Sequence, residues 1–250
     1  MELKDKNIVI TGATGGIGRE VSIELAKEGA KLLLISKSED KLSNLLKELS
    51  GDGHECLKFD FRELDKVKEL EKTIRNKCDT LDILINTAGV GIYKTIEEAD
   101  YCEWDNSLLV NATVPFYLIK ALLPALKKSN ESVVLSVGSG MGKIPTAGRS
   151  LYCASKFALR GLSMSLAQEF KESNVHFIHI ALGSTLTDFG PMTLQEKQKE
   201  NLMGKAYFTP VWVAKKFVDI IKSGDYKDEI ELYPSEYTGN KWWPSGGSSN

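Results

Sequence analysis

Residues 7–18 read Asn7-Ile-Val-Ile-Thr11-Gly12-Ala13-Thr14-Gly15-Gly16-Ile17-Gly18, and Arg19 to Gly29 follows with Val21, Ile23, Leu25 and Ala26 among polar positions. The short β-branched run predicts a buried strand, the later spacing predicts a helix, and a glycine-rich turn joins them. This order is what a dinucleotide pyrophosphate site requires, because glycines turn the chain tightly and bring backbone N–H groups at a helix N-terminus against the phosphates. The spacing reads two ways: Gly-x-x-x-Gly-x-Gly over Gly12, Gly16 and Gly18, or Gly-x-x-Gly-x-x-Gly over Gly12, Gly15 and Gly18.

The same alternation continues downstream. Lys31 to Ile35, Leu57 to Phe59, Leu81 to Asn86, Ser132 to Ser136 and Val175 to Ile180 read as strands, with helical stretches such as Glu39 to Leu49 and Leu64 to Asn76 between them. Five to seven strands spaced by helices predict an α/β fold of the Rossmann type, a doubly wound parallel sheet with helices on both faces. No repeat or long linker divides the chain. We expect one domain over residues 1–240, with a tail at 241–250, Lys241-Trp-Trp-Pro-Ser-Gly-Gly-Ser-Ser-Asn.

Composition narrows the function classes. A chain of 250 residues buries roughly 70–75% of its unfolded surface and needs no staples. Apolar residues at 42% and charged ones at 26% are those of a soluble globular protein. With 32 Lys+Arg against 34 Asp+Glu, the net charge of −2 leaves no basic surplus for nucleic acid. No apolar run approaches the roughly 20 residues of a membrane span, and the start of the chain has no signal-peptide pattern. Cys56, Cys78, Cys102 and Cys153 form no CxxC pair, so metal-ligand spacing is absent and a cytoplasmic chain with reduced thiols is expected. The sequons at Asn111 and Asn130 would matter only in a secreted protein.

The end of the second predicted strand carries Ser36 and Lys37 where an NAD site would place an acid for the ribose hydroxyls. A hydroxyl and an ammonium attract a 2′-phosphate that a carboxylate would repel, which favours NADP(H) over NAD(H). Lys37 also reads as a solvated loop charge, and Gly15 supplies no second basic residue in the turn.

Tyr152-Cys-Ala-Ser-Lys156 puts a phenol and an ammonium four residues apart, on one face of a helix. A free tyrosine, with a pKa near 10, is too weak a base at neutral pH, and a nearby cation would favour its phenolate. Ser139 lies thirteen residues before Tyr152, at the end of the Ser132 strand. Ser136 is its rival, and strand location and spacing favour Ser139.

Taken together, Thr11-Gly-Ala-Thr-Gly-Gly-Ile-Gly18, Asp60, Asn86-Thr-Ala-Gly89, Asn111, Ser139, Tyr152-x-x-x-Lys156 and Leu182-Gly-x-x-x-Thr187 resemble, in order, the short-chain dehydrogenase/reductase family, in its shorter single-domain branch. The resemblance implies a secondary-alcohol or carbonyl oxidoreductase. Tyr152 would be the acid/base, Ser139 would polarise the carbonyl oxygen, Lys156 would bind the nicotinamide ribose and depress the Tyr152 pKa, and Asn111 would hold a relay water. Gly12, Thr14, Gly15, Gly16, Ile17 and Gly18 would cradle the pyrophosphate. Asp60 and the Phe61 amide would contact adenine, Asn86, Ala88 and Gly89 would line the ribose side, and Thr187 would meet the carboxamide. Asn111 also reads as a polar surface residue and Thr187 as a helix N-cap. His54, His176 and His179 show no partner pattern and read as structural.

Two departures from the family stand out. Leu182-Gly183 replaces the common Pro-Gly, which costs rigidity in the loop near the nicotinamide. The ending, Glu229-Ile-Glu-Leu-Tyr-Pro, does not match the terminal strand and Gly-Gly of many tetrameric relatives, so a homodimer through helices near 101–128 and 152–170 is expected as readily as a homotetramer. Residues 188–208 occupy the family's lid position, with Gly190, Pro191 and Gly204 as candidate hinges. Phe189, Met192, Leu194, Leu202, Met203 and Phe208, with Met141 and Ile144, predict an apolar inner face and a hydrophobic ketone or acyl-type substrate. The segment also reads as an ordinary amphipathic helix. The competing function is a non-catalytic NAD(P)-binding sensor or scaffold, against which an intact Tyr152, Lys156, Ser139 and Asn111 set speaks.

Overall fold

Alternate residues of each central strand are buried in opposite directions, which is why the strands read as unbroken apolar runs. Ile8 and Ile10 of the first strand enter one core while Val9 between them enters the other. The computed structural model describes residues 1–63 and 66–240. It contains seven strands, β1 (Asn7–Thr11), β2 (Lys31–Ser36), β3 (Glu55–Lys58), β4 (Ile83–Asn86), β5 (Ser132–Val137), β6 (Val175–Leu182) and β7 (Glu229–Leu232). All pair in parallel, in the order β3-β2-β1-β4-β5-β6-β7.

One face is covered by α1 (Gly16–Lys27), α2 (Glu39–Glu48) and α8 (Pro210–Ser223), which bring Val21, Leu25, Leu42, Val213 and Phe217 onto Ile8, Leu34, Ile85 and Ile180. The other is covered by α3 (Val67–Lys77), α5 (Val114–Lys128) and α6 (Ser150–Glu169), whose Leu70, Ile74, Leu118, Leu122 and Ala167 meet Val9, Leu84, Val134 and Phe177. Local chemistry sets several helix starts. The Ser38 hydroxyl accepts from Lys41 N at 3.4 Å ahead of Glu39 and Asp40, and Thr209 caps α8 with Pro210 in its first turn. The chain runs outward from β1 to β3, then returns to β4 on the other side of β1. That reversal opens a crevice at the C-terminal ends of β1 and β4, where open α/β sheets bind ligands.

Four expectations change. The glycine turn runs into α1 three residues earlier than Arg19, and residues 229–232, taken as a departure from a terminal strand, form β7. The helix expected from Leu64 begins at Val67, with residues 64–65 outside the described ones, as is the tail at 241–250. Finally, α4 (Tyr101–Leu108), a π-helical turn at Leu109–Thr113 and α5 form one helical run, Tyr101–Lys128, apolar enough by composition to cross a membrane. Its inner face, including Val114, Leu118, Leu122 and Leu126, packs in the sheet core, as a buried helix of a globular domain does.

Candidate active site

The crevice is a continuous cleft of about 1150 Å³ running from the glycine turn past Tyr152 to α7 (Leu194–Leu202) and α9 (Pro234–Tyr237). At its first end, Gly12 has φ +65°, and a Cβ there would stand 2.8 Å from the backbone of Ala88. Glycine is therefore required both for the turn and for the close approach of the β1 and β4 loops. The Gly15 N–H donates to Gly12 O at 2.9 Å, and α1 starts with no side-chain cap and no acid in its first turn. The first N–H groups of α1 are thus available to an anion. The cradle, lined by Gly12, Thr14, Gly15, Gly16, Ile17, Gly18, Ala88 and Gly89, fits a pyrophosphate.

The Thr14 and Ser36 hydroxyls lie 2.5 Å apart, tying the turn to the end of β2. Lys37 is exposed beside them, and Lys41 and Arg62 line the same end. Arg62 escaped the sequence reading. Its Nε donates to Asp60 Oδ1 at 3.0 Å and its Nη2 to Asp60 Oδ2 at 2.5 Å, which holds the Asp60 carboxyl below its ordinary pKa. Only contact in the fold reveals it, because two sequence positions after an acid say nothing about which cleft a side chain lines. The Phe61 ring is buried edge-on to Phe59, with centroids 5.4 Å apart.

At the other end, α6 presents Tyr152 and Lys156 side by side, both buried. The Lys156 ammonium donates to Val137 O at 2.9 Å and lies 5.7 Å from the Tyr152 ring centre. Ser139 caps a short 3₁₀ turn, Gly140–Gly142, accepting from Met141 N at 3.2 Å. A Cβ on Gly142 would stand 2.8 Å from Lys156 O. This close approach holds the Ser139 loop against α6, and the neighbouring Ser139 side chain works against the effect of burial on the Tyr152 hydroxyl. The expected depression of Tyr152 is not what this environment produces: burial raises its pKa, with Tyr93 adding to the effect. Burial likewise lowers Lys156 to about 8.

Asn111 is no surface residue. It is fully buried in the π-helical turn, where its Oδ1 accepts from Val90 N at 2.8 Å and its Nδ2 donates to Val90 O and Ser155 Oγ, both at 2.9 Å. Because Ser155 Oγ donates to Tyr152 O at 2.8 Å, the Asn111 side chain clips the loop after β4 to the helix that carries Tyr152. Asn86 is also displaced from its expected role. It is buried between Thr11 and Ser136 in the strand register, with neither side-chain polar atom partnered, and it does not line the cleft as Ala88 and Gly89 do. Thr187 does line it, packed on Gly16, where a Cβ would meet Thr187 Cγ2 at 2.4 Å.

Leu182 in place of proline leaves no slack loop. Gly183 N donates to Leu232 O at 2.8 Å, Pro234 packs on Gly183, and Leu186 and Phe208 exchange backbone bonds with the segment around them. The 188–208 segment is less apolar inside than its sequence suggests. Leu202 and Met203 are 86% and 69% exposed, and Phe208 stacks on Trp212 in the core. Phe189, Met192 and Leu194 line the cleft with Met141 and Ile144. Lys197, Lys205 and Tyr207 are buried and also line it. Lys197 donates to Thr187 O and Phe189 O at 2.6 and 2.5 Å, Lys205 pairs with Glu200 at 2.7 Å, and the Tyr207 hydroxyl donates to the same carboxylate. Tyr93, a further unpredicted residue, sits edge-on to Tyr152 at 5.3 Å, with Phe189 at 5.9 Å on the same ring.

Residues 6–199 match the family model described as short chain dehydrogenase. An uncharacterised oxidoreductase of Staphylococcus saprophyticus is 30% identical over 202 residues, or 80% of this chain and 82% of that protein. An uncharacterised oxidoreductase of Thermotoga maritima is 32% identical over 213 residues, covering 84% of this chain and 79% of that protein. Among solved structures, the alcohol dehydrogenase of the archaeon Thermococcus sibiricus, complexed with 5-hydroxy-NADP, is 26% identical, with a TM-score of 0.79 over 92% of this chain and 96% of that one.

Proposed function

The chain belongs to the short-chain dehydrogenase family of NAD(P)-dependent oxidoreductases, and from that premise we propose that it is an NADP(H)-dependent enzyme interconverting a carbonyl compound and a secondary alcohol. The observation that carries this reading is the buried Tyr152–Lys156 pair beside Ser139, in the cleft that begins at the glycine turn. A bound nicotinamide dinucleotide supplies or accepts the hydride. Tyr152 handles the proton at the substrate oxygen, and Ser139 donates a hydrogen bond to that oxygen. Lys156, held on Val137 O, orients the ribose, and the Asn111 clip keeps α6 in place and serves the proton relay.

Burial raises the Tyr152 pKa, which suits a phenol that donates a proton to the carbonyl oxygen. Preference for NADP(H) is supported by Ser36, Lys37 and Arg62 at the phosphate end and by the NADP derivative held by the archaeal relative. Gly12, Thr14, Gly15, Gly16, Ile17 and Gly18 would hold the pyrophosphate, Asp60 and Phe61 the adenine, Ala88 and Gly89 the ribose, and Thr187 the carboxamide. Residues 188–208 form the substrate lid, and Phe189, Met192 and Leu194 give it an apolar floor for a ketone or acyl-type substrate. Exposed Trp104, Phe116 and Phe157 support pairing of two chains through α4, α5 and α6 in a cytoplasmic homo-oligomer.

The test pairs catalysis with binding. Tyr152→Phe should cut NADPH-dependent carbonyl reduction by roughly 100-fold or more while calorimetry finds NADPH affinity within a few-fold of the parent. Full activity in that variant would sink the assignment. Titration with NADH alongside NADPH reads the cofactor preference, and tighter NADH would remove Lys37 from the phosphate site.

A further inference from the structure

Arg149 lies three residues before Tyr152, immediately ahead of α6, and its side chain lines the reaction end of the cleft. The residue is half-buried. Nη1 donates to Met141 Sδ at 3.5 Å, and Cζ stands 4.5 Å from the centre of the Tyr93 ring, which is itself edge-on to Tyr152. Arg19, Arg62 and Arg160 are each ion-paired, whereas among the described residues no ion pair is formed by Arg149, nor by Arg75, which is exposed on α3 outside the cleft lining. A guanidinium has five N–H donors in a planar fork. A thioether and an aromatic face satisfy almost none of them, though the ring face fixes where the fork points.

The surrounding charges leave the position open to an anion. Lys205 is paired with Glu200, and Lys197 spends its donors on the neutral Thr187 and Phe189 carbonyls, so its charge adds to the positive potential here while Arg149 keeps the free N–H groups. The carboxylates lining this end are Asp188, which is exposed and accepts from Leu194 N at 2.9 Å, and Glu236, exposed on α9. Phe189 and Tyr93 flank the Tyr152 ring. A molecule whose carbonyl reaches Tyr152 would therefore run between aromatic walls to the guanidinium.

We propose that Arg149 binds a carboxylate on the substrate, so that the enzyme acts on oxo acids and the corresponding hydroxy acids. A single planar fork with free N–H donors matches one carboxylate bidentately. This deepens the oxidoreductase reading above and rests on it. The anion takes no part in the chemistry, and no bond to Arg149 forms or breaks; it fixes which end of the substrate faces Tyr152.

The experiment measures NADPH-dependent reduction of straight-chain oxo acids of four to eight carbons, with the oxo group at varied positions, against their methyl esters. Wild type should favour the best acid over its ester by roughly 10- to 100-fold in kcat/KM. In Arg149→Met that ratio should fall to near one, mainly through a higher KM for the acid. Arg149→Lys, which keeps the charge without the fork, should fall between and guards against misfolding of the methionine variant. Equal use of acid and ester by wild type, or an unchanged ratio in Arg149→Met, overturns the proposal. If neither series is reduced but neutral ketones or aldehydes are, the proposal falls and the oxidoreductase reading stands. If no carbonyl compound is reduced at all, both fall.

Discussion

At the phosphate end of the cleft the lysines stand in solvent, whereas at the reaction end they are buried. Lys37, Lys41 and Arg62 are exposed around the Thr14–Ser36 contact, while Lys156, Lys197 and Lys205 are all less than 9% exposed and each has a definite partner. An exposed charge keeps its hydration and acts through a screened field. A buried one loses hydration and persists only where the fold supplies partners. The two ends therefore differ in what holds them: backbone geometry with loose charges at one, packed and desolvated charges at the other.

The largest expected effect tests the backbone half of this contrast. Gly12→Ala would force a left-handed alanine, costing roughly 1–2 kcal/mol, and place its Cβ 2.8 Å from the Ala88 backbone. NADPH affinity should fall by roughly 100-fold, since the two loops must separate and the cradle opens with them; calorimetry reads the affinity and a thermal melt the lost stability. Gly161→Ala is the matched control, because a Cβ there meets nothing within 4 Å and removing a helical glycine should stabilise by roughly 0.5–1 kcal/mol. A Gly12→Ala protein that binds NADPH like its parent would show that charge, not backbone, holds the phosphate.

This contrast also sets what could be read from sequence. The phosphate end rests on contiguous residues, so strand, turn and helix were legible in Asn7 to Gly29, and the sheet followed from the spacing of apolar runs. Tyr152 and Lys156 were legible together because they sit one helical turn apart. Arg62, Tyr93, Arg149, Lys205 and Tyr207 were not, since each gains meaning only from a side chain that tertiary folding delivers. The lid shows the same limit. Leu202, Met203 and Phe208 suggested an apolar inner face, but the buried polar network of Glu200, Lys205 and Tyr207 turns Leu202 and Met203 outward. Asn111 and Asn86 were legible as residues that matter, not as the buried clip and the unpartnered core amide that they are.

The next effect addresses the buried half. Desolvation lowers Lys156 from its ordinary 10.5 to about 8, so the folded state binds fewer protons than the unfolded one between those values. The sign follows: the cost of burying the charge is fully present below about pH 8 and is relieved as pH rises toward 10.5. That cost is about 3 kcal/mol at most, partly offset by the bond to Val137 O, worth about 1 kcal/mol. Lys156→Met should therefore be the more stable protein at pH 7, by about 2 kcal/mol, while losing activity. Urea unfolding of both proteins from pH 7 to 10 should find that advantage shrinking. A constant advantage would mean that Lys156 carries no desolvation cost and that the two ends do not differ as argued.

The smallest effect belongs to the exposed cations, and its dependence on salt is the sharper test. Lys37→Gln should lower the ratio of NADPH to NADH affinity by roughly 5- to 10-fold, the size of one solvated contact to a phosphate. Because Lys37 keeps its hydration, that contribution should weaken as added salt shortens the Debye length from about 10 Å toward 3 Å. Replacing Arg62 as well should lower the ratio further, and should also free Asp60, whose carboxyl would rise toward its ordinary pKa once Arg62 is gone. At the reaction end the same salt should leave Lys156 almost untouched, since no mobile ion reaches a charge buried against Val137 O. A Lys37→Gln protein whose preference is unchanged at low salt would make Lys37 a surface charge, and would leave the Thr14 and Ser36 hydroxyls with Arg62 as the readers of the 2′-phosphate.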